Sequence, residues 1–342
     1  TASAKIIDVA GGPLSNRNLI INGAMNVAQR SSSAVNIPGG KTVTDVDRFG
    51  QWTKTADGNW KTGQQVSDAP ADFQFSRKIT SLAANTIEAG TYHTVRYAVE
   101  GYDAAQLNCG LSSAKTVTLS FYVKSSLTGT FGLNFTNGAN NRSYPTTYTI
   151  SNPNVWERKT ITVTLDTSGT WLKTNGVGLE INWQLAIGSS YSTSTLNQWQ
   201  DHWRFPSSAT DILATNGATL QLTGVQLEVG NIATSFEHRS LAEEKKRCER
   251  YYQTYGFTTL MGSLAGQVGT PRILFPTEMR DTPSVTVEYG SNGNGSFRNQ
   301  NDGSTLTGHT IFNYYTNGFD CRGNSGSLNI IYSSTYEADA EI

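Results

Sequence analysis

The chain has 342 residues, with 26 basic and 27 acidic side chains and a formal net charge of −1. That balance leaves no basic footprint for nucleic acid, and no apolar run approaches the ~18 residues that cross a bilayer as a helix. Charged residues make up only 15%, against about 25% in ordinary soluble domains, and 43 Thr, 33 Ser and 27 Asn take their place. Threonine favours strands while Asn, Ser and Gly favour turns, so the mixture predicts an all-β protein. With 7 Trp, 15 Tyr and 13 Phe to pack, the chain is not a disordered one.

Cys109, Cys248 and Cys321 are odd in number and far apart. They form neither a disulfide framework nor a zinc site, and read as free, mostly buried thiols of a chain made in a reducing cytoplasm. The apolar patch Ile6, Ile7 and Val9 is too short for a signal peptide. At roughly 100–200 residues per domain the length allows two or three domains.

Residues 1–17 read as a linker or attachment arm, because Gly11-Gly12-Pro13 breaks whatever Lys5 to Val9 begins. From 18 to 238 period-two alternation recurs, at Val117/Leu119/Phe121/Val123, Phe131/Leu133/Phe135, Ile161/Val163/Leu165 and Val177/Leu179/Ile181/Trp183. Each run puts one strand face on a core. The phase slips at Gly224, with Leu222 on one side and Val225, Leu227 and Val229 on the other, which predicts a β-bulge. Turn pairs at Asp57-Gly58, Thr128-Gly129, Asn137-Gly138, Asn175-Gly176 and Asn216-Gly217 punctuate the strands. The region is predicted to be a jelly-roll β-sandwich.

Residues 239–256 predict a connecting helix: Ser240 and Glu243 make a capping-box pattern and Gly256 suits the stop. Leu241, Cys248 and Tyr255 repeat at seven with Tyr251 and Tyr252 beside the seam, which fits packing on the chain's own sandwich or a short parallel bundle in an oligomer. From 257 to 342 alternation returns at Val285/Val287/Tyr289 and Leu328/Ile330/Tyr332, with loops at Asn292-Gly293-Asn294-Gly295 and Asn301-Asp302-Gly303. A second, smaller β domain is expected there, and it lacks Trp, since all seven occur by Trp203.

The densest chemistry lies at Trp199-Gln200-Asp201-His202-Trp203-Arg204-Phe205. An aromatic face under a sugar ring, with carboxylate and guanidinium groups for its hydroxyls, makes Trp199, Asp201, Trp203 and Arg204 candidates for a glycan platform. The same tryptophans also suit the anchoring of a long loop. Trp171, Trp52 and Trp60 are further aromatic candidates. His93, His202, His238 and His309 are scattered and fall in no catalytic pattern. Asn299, Asn301 and Asp302 hold part of a calcium-loop pattern without its downstream acid, while Asp45 and Asp47 read as solvated loop carboxylates. No catalytic residue, metal or cofactor is expected.

Asn18-Leu19-Ile20-Ile21-Asn22-Gly23-Ala24-Met25 through Gln29-Arg30, then Asp47-Arg48-Phe49, resembles the opening of a bacteriophage tail-fibre domain family. The resemblance resumes at Leu222-Thr223-Gly224-Val225-Gln226-Leu227-Glu228-Val229-Gly230. It continues through Ala233 to Glu237 and ends at Cys248-Glu249-Arg250-Tyr251-Tyr252. It implies a virion protein with a jelly roll similar to carbohydrate-binding modules, commonly a homotrimer, with its distal segment facing the host. The expectation is therefore a tail fibre, made in the host cytoplasm, that binds a host-surface glycan or receptor and joins other virion proteins through the N-terminal arm. A capsid decoration or head fibre of purely structural role is the alternative. On this reading Tyr289, Tyr314 and Tyr315, among loops that also carry Phe297, Arg298 and Arg322, become candidate receptor contacts.

Overall fold

The computed structural model describes residues 16–54, 60–261, 263–264, 267–268, 270–290, 294–307, 310–322 and 330–342. The arm expected at 1–17 lies outside these residues apart from Asn16 and Arg17, as do Asp57-Gly58, Asn292-Gly293, His309 and Leu328. Contacts divide the chain into two compact units, one reaching Glu244 and the other spanning Lys245–Glu341. The division falls inside the helix, where the sequence pattern had suggested 238 and 256.

The first unit contains Val35–Asn36 (β1), Gly40–Thr42 (β2), Phe49–Thr53 (β3), Lys61–Val66 (β4), Ser76–Ser81 (β5) and Tyr92–Glu100 (β6). After a helical turn at Gly101–Ala104 (α1) come Thr116–Ser125 (β7), Gly129–Thr136 (β8), Arg142–Ile150 (β9), Glu157–Thr164 (β10) and Val177–Ile187 (β11). Three short strands, Ser192–Thr193 (β12), Gln200–Asp201 (β13) and Phe205–Pro206 (β14), precede the long Thr219–Val229 (β15). One sheet has the order β1-β4-β5-β15-β7-β10 and the other β13-β9-β8-β11-β6-β3-β2. Successive strands from β5 to β8 and from β9 to β11 keep crossing between the sheets, so the unit is a jelly-roll sandwich.

The alternating residues face inward as expected. Leu119, Phe121 and Val123 of β7, Leu133 and Phe135 of β8, and Ile181 and Trp183 of β11 are fully buried in one core. Phe121 meets Trp183 edge-on across the two sheets at 5.7 Å. In β15 the register with β7 shifts between Thr223 and Gln226, and Gly224 has φ +60°, the predicted bulge. Asp45 and Asp47 are not solvated: both are fully buried. Asp45 receives Arg77 Nε at 2.8 Å and Nη2 at 2.7 Å, and Asp47 receives the Gln29 amide at 3.0 Å.

The helix spans only Leu241–Glu249 (α2), with the Glu243 amide donating to Ser240 Oγ at 3.2 Å. By Tyr252 the chain is a strand, Tyr252–Met261 (β16), whose Gly256 pairs with Thr335, so Gly256 is no helix stop. This corrects the expected helix, on which only Leu241 and Cys248 of the five seam residues lie. Cys248, Tyr251 and Tyr252 are buried within the chain, Tyr255 lies on β16, and Leu241 alone among the five is exposed. The aromatic and β-branched run after Arg250 prefers a paired strand to another turn of helix.

The second unit continues with Ser263–Leu264 (β17), Gln267–Val268 (β18), Arg272–Leu274 (β19), Ser284–Glu288 (β20) and Phe297–Asn299 (β21). Thr305–Leu306 (β22), Thr310–Tyr315 (β23), Gly318–Arg322 (β24) and Ile330–Asp339 (β25) complete it. β16, β20 and β21 all pair with β25, β22 extends that sheet, and β19-β24-β23 form a three-stranded one. A separate core of Phe275, Met279, Val287, Phe297, Phe319 and Tyr336 joins them. Among the described residues no helix is long and apolar enough to cross a membrane.

Candidate functional site

Strand parity sends side chains of the seven-stranded sheet alternately into the core and outward. In β3, Phe49 faces the core and Trp52 the other side; in β6, Val95, Tyr97 and Val99 face the core and Tyr92 does not. The loop after β11 folds over this outer face, with Gly188 N donating to Thr91 O and Ser190 N to Ala89 O. It returns along β9: His202 N donates to Asn141 O, Ser143 Oγ to His202 O at 2.6 Å, and Arg204 N to Ser143 Oγ at 3.1 Å.

That clamp sets the Trp203 indole among four rings. Trp52 lies at 4.4 Å between centroids, Phe205 at 4.7 Å, Tyr92 at 5.0 Å and Tyr191 at 5.6 Å. Tyr92 and Tyr191 also meet each other edge-on at 5.1 Å. A cleft of about 410 Å³ opens here, lined by Trp52, Tyr92, Tyr191 and Trp203 with Asn140, Asn141, Ser190, His202 and Arg204. Among the described residues the buried Trp203 Nε1 and Asn140 Oδ1 have no hydrogen-bond partner, one a donor and the other an acceptor. Arg204 Nη1 donates to Ser190 O at 2.5 Å. Burial, then the neighbouring Tyr191, raises the Tyr92 pKa above its ordinary value, so the phenol stays a neutral donor. Lys41 Nζ stands 3.8 Å from the Trp52 ring centroid, and burial lowers its pKa.

The expected platform is divided by the fold. Trp203 and Arg204 line the cleft, but Trp199 does not. The Trp199 indole donates to Thr164 O at 2.9 Å and packs on Tyr144 and Trp171 at 5.5 and 5.4 Å, which anchors the loop to the core. Asp201 is exposed and receives Arg142 Nη1 at 2.6 Å, in a neighbouring depression of about 460 Å³ that shares Asn141 and His202 with the cleft. His202, at φ +68°, turns the chain between these two settings. Trp171 is buried and donates to Ser168 O, while Trp60 stacks on His93 at 4.9 Å.

Tyr92, Tyr191, Asn140 and Asn141 were not singled out from the sequence. Tyr92 carried a readable signal, an aromatic on the even positions of a strand whose odd positions form the core. Tyr191 and the asparagines reach the cleft through loop geometry that no local pattern specifies.

In the second unit Tyr314 and Tyr315 lie together on β23, and Tyr289 follows β20 in the other sheet. Tyr314 is exposed, whereas Tyr315 lies 4.0 Å beneath the Arg272 guanidinium. Arg298 stands 6.0 Å from the Tyr289 ring. The Asn299–Asp302 turn closes on itself, with Asp302 Oδ1 accepting from Ser304 N and Oγ. Among the described residues no group of three His, Cys, Asp or Glu side chains is placed to hold a metal ion.

No family model matches the chain, and no curated protein matches it. Solved structures do. The enzymatically active domain of tailspike protein 4 from bacteriophage CBA120 is 13% identical over 63% of this chain and 22% of that one, with a TM-score of 0.32. A putative sugar binding protein from Bacteroides thetaiotaomicron is 13% identical over 62% of this chain and 100% of that one, with a TM-score of 0.34. A family 11 carbohydrate-binding module from Clostridium thermocellum is 10% identical over 61% of this chain and 99% of that one, with a TM-score of 0.29.

Proposed function

We propose that the chain is a non-catalytic glycan-binding appendage of a bacteriophage particle, and that the Trp203 cleft receives a sugar of the host surface. The observation that carries this reading is the cleft itself. Trp203 is framed by Trp52, Tyr92 and Tyr191, with an unpartnered indole N–H and the Asn140 carbonyl as an orphan donor and acceptor. Aromatic rings supply the apolar surface that the C–H face of a pyranose covers, and convergent amides and a guanidinium meet its hydroxyls. None of the described cleft-lining residues is a carboxylate, whereas glycoside cleavage by the usual route needs a pair. Binding without cleavage is part of this proposal. The tail-fibre role, homotrimeric assembly and location on the virion rest on the resemblance of Asn18–Arg30 and Leu222–Gly230, and form the broader part of the proposal.

The test is binding of the labelled recombinant chain to candidate host cells and to their purified surface polysaccharides. Saturable binding to one strain, competed by its own polysaccharide, is expected. Trp52→Ala and Tyr191→Ala should each weaken it at least tenfold, in keeping with the ~1–3 kcal/mol carried by a buried aromatic contact. Folded variants that bind as tightly as the parent would remove the cleft from the proposal. Absence of binding to every host, with tight binding to virion components, would favour a decoration role.

A further inference from the structure

The six-stranded sheet carries on its outer face a second cavity, of about 510 Å³, that the reading above does not use. It forms where the bulge interrupts the pairing of β15 with β7. A Cβ on Gly224 would lie 2.7 Å from Phe73 Cζ and 2.9 Å from Tyr122 Cδ2, so the bare glycine lets these rings lie against the strand. Phe73 is the centre of an aromatic floor, with Phe236, His238 and Tyr122 at 5.0, 5.4 and 5.5 Å.

Arg158 of β10 lines the same cavity, its Nη2 donating to Thr234 O at 2.7 Å and to Ser120 Oγ at 3.4 Å. Its charge is not met by a carboxylate as that of many arginines in this unit is. Arg17, Arg30, Arg77, Arg96, Arg142 and Arg239 each lie within ion-pair distance of a carboxylate. Among the described residues Arg158 has no such partner. Asp72 lines the cavity too, yet makes no ion pair with it. The site thus offers a guanidinium without an ion-pair partner, an aromatic floor and the hydroxyls of Ser120 and Ser235, with the Asp72 carboxylate elsewhere on its wall.

We propose that this cavity is a second ligand site, selective for a carboxylated sugar unit such as a uronic or sialic acid. The guanidinium fork matches a carboxylate in plane, the rings match the apolar face of a pyranose, and the serines match its hydroxyls. The volume falls within the ~300–1,000 Å³ of small-ligand sites. A bare inorganic anion would leave the rings unused, and a neutral sugar would leave the charge unused. The inference does not depend on what occupies the Trp203 cleft, which involves the other sheet.

The experiment uses the full chain, with saturation-transfer NMR and calorimetry against D-glucuronate, D-galacturonate and N-acetylneuraminate. D-glucose and acetate serve as the neutral and the ring-free controls. At least one acidic sugar is expected to bind tenfold or more tightly than either control. Arg158→Gln should lose that preference and Arg158→Lys should keep part of it. Tyr191→Ala, which alters only the first cleft, should leave it unchanged. Arg158 is exposed, so its variants keep the fold, and circular dichroism checks this. The proposal is overturned if no acidic sugar binds, if acetate binds as well as the sugars, or if the preference survives Arg158→Gln and disappears with Tyr191→Ala.

Discussion

His93 shows how burial decides the chemistry of one side chain. Its Nδ1 lies 2.9 Å from the Lys61 ammonium, which also donates to Thr53 Oγ1, and its ring stacks on Trp60. Burial first and the Lys61 charge second pull its pKa down to about 3. In the unfolded chain a histidine titrates near 6.5, so the unfolded state takes up the proton first as pH falls. The stability owed to neutral His93 is fully present above pH ~6.5 and is lost progressively toward pH 3, at up to about 1.4 kcal/mol per pH unit. Urea midpoints measured from pH 7 to pH 5 should therefore fall, and His93→Gln should flatten that slope while lowering the midpoint at pH 7. An equally steep slope in the variant would assign the pH dependence elsewhere. A second prediction concerns Asp45→Asn, which strands a fully buried Arg77 guanidinium and should cost about 3–5 kcal/mol by urea unfolding. Neither pair was legible in the sequence, because the partners are 32 positions apart and meet only where the two sheets pack on each other. Leu119, Phe121, Leu133 and Trp183 were legible, because alternation alone sends them inward.

At the scale of elements, the bulge in β15 was visible as a slip of phase at a glycine, and α2 was visible only at its start. Ser240 and Glu243 signal an N-terminus through local hydrogen bonds that the structure contains. The end was misread because the spacing of Leu241, Cys248 and Tyr255 fits a heptad, while the pairing of β16 with β25 is an interaction with residues some 80 positions away. Heptad spacing over two repeats is weak against a ten-residue antiparallel ladder. The bulge gives the sharper prediction. Gly224→Ala forces a Cβ into the left-handed region and against the Phe73 ring, and should destabilise the chain by about 1–3 kcal/mol. An unchanged denaturation midpoint would mean that β15 passes this point in another conformation.

At the scale of the whole molecule, the chain has two cores with no shared residue, one in each unit. A fragment spanning residues 16–249 contains every residue that lines the Trp203 cleft and is expected to fold alone and bind the same polysaccharide as the full chain. A fragment that folds yet does not bind would place recognition in the second unit, around Tyr314. The cysteines add an internal clock to such experiments. All three are buried and outside any disulfide, which shields them from a thiol reagent in the native chain, and burial holds the Cys109 and Cys321 thiols up at about 12, so neither of those two is a reactive thiolate at neutral pH. Cys109 belongs to the first unit, while Cys248 and Cys321 belong to the second. Pulse labelling followed by intact-mass readout would then add one tag when the sandwich opens and two when the second unit does. Without any engineered probe, the chain itself records which of its halves lets go first.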